Sequence, residues 1–334
     1  MLVYHPDSQR HLLAPGHVES PQRMEAIVQK LESLHLLEGY TVPEPAGRAQ
    51  IEAVHAKTYV SLLESSGEGY LDTDTAVHPE TFGLARLAAG GALAAALAAA
   101  EAEEPALALV RPPGHHAGPD YGGGFCIFNN VAIAAEALLQ RLPRIAVLDL
   151  DAHHGNGTQD VFAANRDVLY VSTHQWGIFP GTGPARYVGE GKGEGFTVNV
   201  PLPARAGDAT YDLAFREVIE PIVRQFLPEV LLVSLGVDAH YKDPLTGLGL
   251  SSPGYLNLVD QTLDLAKSVA HGRVAFVLEG GYYLPALAEV IAATYARFRG
   301  ESVHLQFREG RENRERGRDA VNEAKEAQRE YWDL

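Results

Sequence analysis

Two carboxylates and two imidazoles crowd the run Leu148-Asp149-Leu150-Asp151-Ala152-His153-His154-Gly155-Asn156-Gly157, directly after the apolar stretch Ile145-Ala146-Val147-Leu148. A continuous apolar stretch of this length reads as a buried parallel strand, and the glycines with Asn156 end it. Side chains alternate along a strand, so Asp149, Asp151 and His153 are expected on one face. Two carboxylates and an imidazole are costly to bury unpaired. A divalent cation such as zinc removes that cost and accepts both kinds of ligand, as do iron and cobalt.

Three further apolar segments end in polar, glycine-flanked clusters. Residues 106–110 run into Arg111-Pro112-Pro113-Gly114-His115-His116, residues 230–234 deliver Gly236-Val237-Asp238, and residues 274–278 deliver Glu279-Gly280-Gly281-Tyr282. Ligands of an open α/β sheet bind outside the carboxyl ends of its strands, so the four clusters are expected to meet. Asp151, His153 and Asp238 then supply three metal ligands and leave positions open for water and substrate, the mark of a catalytic site. Metal-activated water needs a base, and His115 and His116 supply a general base and a second proton-transfer or electrostatic group. Asp149 and Asn156 can orient those imidazoles through their second nitrogens. Tyr282 offers an O–H donor where an oxyanion forms, and Gly280 and Gly281 permit its close approach. Singly, a His pair or a Gly-Gly-Tyr is an ordinary loop feature. Together they require four strand ends to be polar at once.

The elements that hold these residues alternate. Strands are expected at 2–4, 106–110, 145–149, 168–172, 197–200, 230–234 and 274–278. Helices are expected at 21–34, 58–64, 84–100, 130–140, 211–226 and 254–270, with a short one between the strands at 145–149 and 168–172. Such alternation implies right-handed βαβ units, hence an α/β fold with a central, mostly parallel sheet and helices on both faces. Residues 1–308 read as a single catalytic domain. Residues 309–334, dense in Arg and Glu, read as a charged C-terminal helix or tail with a solvated face.

Composition narrows the function. The 334 residues are 46% hydrophobic and 21% charged, and 27 basic against 43 acidic residues give a net charge of −16. That balance argues against direct nucleic-acid binding, which needs a cationic face, and is compatible with cationic substrates. A single cysteine, Cys126, excludes an internal disulfide framework and suits a reducing compartment. No secretory signal is legible, so a cytoplasmic location is expected. The alanine-rich stretch 84–100 reads as too short and too weakly hydrophobic to span a bilayer, and no membrane association is expected.

The full set of motifs resembles the histone deacetylase family, including its class II-like bacterial amidohydrolase members. The resemblance rests on Arg111-Pro112-Pro113-Gly114-His115-His116-Ala117, Tyr121-Gly122-Gly123-Gly124-Phe125-Cys126, residues 149–159, Phe179-Pro180-Gly181-Thr182-Gly183, Gly236-Val237-Asp238 and Leu278-Glu279-Gly280-Gly281-Tyr282. His17-Val18-Glu19-Ser20-Pro21-Gln22-Arg23 is similar to the family's N-terminal segment. The resemblance implies an arginase/deacetylase-like three-layer fold and zinc-dependent amide hydrolysis. It places one Zn2+ on Asp151, His153 and Asp238. His116 then matches the general base, His115 the neighbouring histidine paired with Asp149, and Tyr282 the oxyanion donor. Gly124, Phe125 and Phe179 match the walls of a narrow channel for an acyl-lysine-like chain, and Leu245 its mouth. Asp72 or Asp74 matches an acidic rim residue that grips the substrate backbone. Arg23 matches a buried arginine near the acetate exit. The resemblance also implies a structural K+ at Asp149, Ser172 and main-chain oxygens of Asp151, His153 and Thr173, with a second monovalent site near Phe162, Asn165, Val168 and Phe196.

Departures sharpen the reading. Asn156 stands where class I members carry Asp; an amide stabilises an imidazolium poorly, so His116 is expected to be neutral near pH 7. The related arginases hold two manganese ions and carry Asp at the places of Gly155 and His240, so one metal per chain is expected here. The implied substrate is an acetylated lysine peptide or a small acetylated amine. A glutamate at Leu245 would have favoured a polyamine; leucine leans away from it. A binuclear ureohydrolase and a non-catalytic acyl-binding module are the alternatives.

Overall fold

The computed structural model describes residues 1–334. Seven strands form one all-parallel sheet: β1 Leu2–Tyr4, β4 Ala106–Leu109, β5 Ile145–Asp149, β6 Val168–Gln175, β7 Thr197–Leu202, β8 Val230–Leu235 and β9 Val274–Leu278. Their spatial order is β1-β4-β9-β8-β5-β6-β7. Strand alternation divides the apolar side chains between two cores. Ala146 and Leu148 of β5 join the core under helices Pro21–Ser33, Ser252–Val269 and Leu284–Phe298, whereas Ile145 and Val147 join the core under Thr81–Ala102 and Asn130–Leu139. The result is the three-layer α/β arrangement expected from the sequence.

Several elements differ from expectation. The loop at residues 67–77 contains a small antiparallel hairpin, β2 Gly69–Tyr70 with β3 Ala76–Val77, too short to show as an alternating pattern. Helix Leu284–Phe298 was not expected, because the glycines and tyrosines before it read as loop; Pro285 sits in its first turn, where proline is tolerated. The alanine-rich helix runs from Thr81 to Ala102, 22 residues, and is long and apolar enough by composition to cross a bilayer. Most of its apolar stretch is instead buried against β4, β9 and helix Asn130–Leu139. The C-terminal segment forms helix Arg314–Gln328, which lies along the edge strand β7. It buries Val321, Ala324 and Gln328, whose Nε2 donates to Thr197 O at 2.9 Å. Its charged residues cover the opposite face, and the edge strand's polar groups are shielded from other chains.

Candidate active site

The strands that end in the four polar clusters, β4, β9, β8 and β5, are consecutive neighbours in the sheet, so one carboxyl edge gathers all four. Strand β5 stops at Asp149, so Asp151 and His153 lie on the turn beyond it, and alternation does not place the three on one face. Asp149 turns away from the other two. Its Oδ2 is 3.1 Å from His115 Nδ1 and accepts the Tyr170 hydroxyl at 3.0 Å.

Asp151, His153 and Asp238 converge, with ligand atoms all within 4.8 Å of one another. His153 Nδ1 lies 2.8 Å from Asp238 Oδ2 and 3.2 Å from Asp151 Oδ1. Backbone N–H groups fix the carboxylates: Gly280 and His153 donate to Asp151, and Ala152 donates to Asp238. A Cβ at Gly236 would overlap Asp151 Oδ2, and one at Gly280 would sit 2.6 Å from both Asp151 Oδ2 and Asp238 Oδ2. Only glycine lets the two backbones come this close. Burial alone would lower the His153 pKa, but Asp151 and Asp238 outweigh it and raise it to about 10. The carboxylate pair thus demands positive charge at this point, and two oxygen donors with one nitrogen fit a divalent cation such as zinc.

A second cluster, His115, Cys126 and Glu279, is also close enough to hold an ion. Its groups are otherwise engaged. His115 Nδ1 faces Asp149, and Glu279 accepts from Gly114 N, His115 N and Ser234 Oγ. Burial keeps the Cys126 thiol protonated by pushing its pKa well up.

The histidine pair is split electrically. Burial, then the positive neighbours His115 and His153, hold His116 well below the usual histidine range. Burial acts on His115 in the same sense, but Asp149 and Asp151 outweigh it and raise its pKa well above that range. His116 Nδ1 lies 2.8 Å from Asn156 Oδ1, which can only accept, so the His116 proton sits on Nδ1 and Nε2 is bare.

Both histidines line a cavity of about 290 Å³ together with His153, Phe125, Phe179, Leu245 and Tyr282. Phe179 meets His116 edge-on at 5.0 Å, and Phe125 meets Tyr282 edge-on at 5.9 Å. Gly124 has φ +53°, and a Cβ there would lie 2.6 Å from the His116 ring and 2.7 Å from Phe179, closing the slot between them. Phe125, at φ 71°, occupies left-handed backbone that a bulky residue rarely adopts. Its N–H donates to Thr75 Oγ1 at 2.8 Å, and the Gly124 N–H donates to Asp72 Oδ2 at 2.7 Å. Asp72 reaches the cavity, but its other oxygen accepts the N–H groups of Asp74 and Thr75, so its carboxylate is committed to the hairpin and the channel wall. Asp74, with its side chain 64% exposed, is the open rim carboxylate, 3.2 Å from His17 Nε2.

Beneath the cavity, the guanidinium of Arg23 lies 5.0 Å from the centre of the Tyr282 ring. It donates to Gly281 O, Glu279 O and Glu19 Oε1. Arg111 grips the same Glu19 through Nε and Nη2. Burial would raise the Glu19 pKa, but Arg111 and then Arg23 hold it down to about 2. Asp149 and Ser172 stand opposite each other on β5 and β6, and Ser172 Oγ lies 2.9 Å from His174 Nδ1. Among the residues expected near a second monovalent ion, the Phe162 and Phe196 carbonyls accept from the Asn165 and Tyr170 N–H groups.

Sequence reading missed the roles of Glu19, Arg111, Tyr121, Asp160 and Thr75. Glu19 and Arg111 are 92 residues apart, and nothing local marks either as a partner of the other. Tyr121 and Asp160 continue the hydrogen bonding outward from Asn156: its Nδ2 donates to Tyr121 OH at 3.0 Å, and Tyr121 O–H donates to Asp160 Oδ2 at 2.5 Å.

Comparison with known proteins places the chain in a family. The family described as Histone deacetylase domain matches residues 17–298. The chain is 42% identical over 289 residues to a probable deacetylase of Archaeoglobus fulgidus, covering 84% of this chain and 80% of that one. It is 39% identical over 289 residues to a histone deacetylase-like amidohydrolase of Pseudomonas aeruginosa, covering 81% and 75%. Among solved structures, the HDA15 HD domain superposes with a TM-score of 0.90 at 31% identity, over 99% of this chain and 95% of that one.

Proposed function

This chain belongs to the histone deacetylase family, and on that premise we propose that it is a zinc-dependent deacetylase that releases acetate from N-acetylated amines, acetyl-lysine side chains foremost. One observation carries the reading: His153 of the Asp151–His153–Asp238 cluster, His116 and Tyr282 line one cavity walled by two aromatic rings.

Asp151, His153 and Asp238 would hold the metal. Zinc bound there would lower the pKa of water and polarise the acetamide carbonyl. His116, neutral and bare at Nε2, takes the proton from the attacking water and later returns it to the leaving amine. His115, kept cationic by Asp149 and Asp151, adds positive charge beside the reacting centre. Tyr282 donates its O–H to the carbonyl oxygen as negative charge develops, an interaction of ~3 kcal/mol in comparable sites. Phe125 and Phe179 sheath the aliphatic chain, and Asp74 at the rim accepts from the substrate backbone. Leu245, partly exposed at the cavity, offers no carboxylate to a second ammonium, which favours a peptide over a polyamine. A potassium ion beside Asp149 and Ser172 belongs to the same proposal.

Acetate release from acetylated lysine peptides and acetylated polyamines, with metal analysis of the same sample, tests the reading. Acetate from the peptides and about one zinc per chain are expected. Two metals per chain would favour a binuclear ureohydrolase, and bound metal without acetate release would leave a binding module.

A further inference from the structure

Asn156 presents its carbonyl oxygen to His116 Nδ1 only if its amide is the right way round, and an isolated amide has no preference of that kind. The structure supplies the preference from outside. Asp160 is an exposed carboxylate on the same helix, Asn156–Phe162, and as an ion it can only accept. It therefore accepts the hydrogen bond that the Tyr121 hydroxyl donates at 2.5 Å. With that proton committed, Tyr121 OH is left as an acceptor, and the group it meets 3.0 Å away must be the NH2 of Asn156. The oxygen of Asn156 then points at His116 Nδ1, 2.8 Å away. Reversing the amide would set its oxygen against a hydroxyl with no proton to give, and its NH2 would force His116 to carry its proton on Nε2. The Tyr121 ring packs against Gly118, where a Cβ would overlap it, and the Tyr121 carbonyl accepts the Gly118 N–H at 2.9 Å. The hydroxyl is thereby fixed in place.

We propose that Tyr121 and Asp160 are positioning residues that set the direction of the Asn156 amide and so keep His116 in the tautomer with a bare Nε2. The chain Asp160–Tyr121–Asn156–His116 does remotely what a carboxylate at position 156 would do by contact. A carboxylate accepts through either oxygen and needs no outside orientation. This inference rests on the deacetylase reading for its kinetic consequence, but its structural content can be read without turnover.

The test is Tyr121→Phe, which keeps the ring against Gly118 and removes only the hydroxyl. Zinc-loaded protein is expected to lose roughly tenfold or more in kcat for an acetyl-lysine peptide, with KM within twofold and zinc content unchanged. In an Asn156→Asp background the same change is expected to cost nothing further. Nitrogen-15 spectra of histidine-labelled protein give a second readout: one His116 tautomer in the wild type, a mixture in Tyr121→Phe. Asp160→Asn, on the exposed helix face, is expected to give the same mixture in weaker form. A wild type that releases no acetate sinks the deacetylase reading alone, since the spectra still judge the relay. A single His116 tautomer in both variants, or an equal loss in the Asn156→Asp background, overturns the relay.

Discussion

Asp72 Oδ2 accepts the backbone N–H of Gly124 at 2.7 Å, which fastens the tip of the Gly69–Val77 hairpin to the channel wall. Burial would raise the Asp72 pKa, but hydrogen bonds from Asp74, Gly124 and Thr75 outweigh it and hold the carboxyl below its usual range. Asp72→Asn preserves shape yet places an NH2 against the Gly124 N–H or against the N–H groups of Asp74 and Thr75. Gly124 and Phe125 are left-handed, and only Thr75 and the Gly123–Cys126 backbone pair that closes their turn would then restrain them. Steady-state acetate release is expected to show a roughly fivefold to tenfold rise in KM, the loss of a bond to a charged group, with kcat little changed. An unaltered KM would mean the wall holds itself.

Tyr282 is the only hydroxyl-bearing side chain among the cavity's aromatic residues. Burial pushes its pKa well up, so it stays a donor at neutral pH. Tyr282→Phe is expected to lower kcat by about 10²–10³, the effect of deleting one oxyanion donor, while zinc per chain is unchanged. Elemental analysis beside acetate assays decides it. Wild-type turnover in the variant would remove Tyr282 from the mechanism.

Glu19 is completely buried between Arg23 and Arg111, and its loss leaves two buried guanidinium groups without their counter-ion. Glu19→Gln keeps the volume and removes the charge. Breaking a buried pair from one side costs about 3–5 kcal/mol, so urea unfolding is expected to show a loss of that order. Because Arg23 also braces Gly281 and Tyr282, activity should fall with stability. A variant as stable as the wild type would show that backbone carbonyls alone can hold both arginines.

The sheet was legible because each inner strand holds an apolar run of four or more residues that ends in a polar or glycine-containing segment, a local signal. The convergence of Asp151, His153 and Asp238 was legible for the same reason: each follows such a run closely. What the sequence hid is long-range and polar. Glu19 with Arg111, Thr75 with Phe125 and Tyr121 with Asn156 are pairs set by the folded backbone, with no periodicity to betray them. Alternation also misled at Asp151, because the strand ends two residues earlier and the turn, rather than the pleat, aims the ligands.

His55 shows how a buried histidine ties stability to pH. Its Nδ1 lies 2.8 Å from Gly118 O, and its Nε2 accepts the Asn129 N–H at 2.9 Å, so the neutral ring is satisfied on both sides. A second proton would have to sit on Nε2, against that N–H. Burial, partly offset by the Gly118 hydrogen bond, lowers the pKa from 6.5 to about 4. Between those values the unfolded chain binds the proton and the folded chain refuses it. His55 therefore destabilises the fold as pH falls from 6.5 towards 4, by ~3 kcal/mol at the lower end. His11, His174 and His240, also held near 4, add to the same slope. Glu19 acts in a lower window: its depressed pKa contributes stability above pH 4.5 that is lost towards pH 2. Urea midpoints at pH 7, 5.5 and 4.5 are expected to fall steadily in the wild type and less steeply in His55→Gln, which carries no titrating group. Equal slopes in the two proteins would place the proton uptake elsewhere.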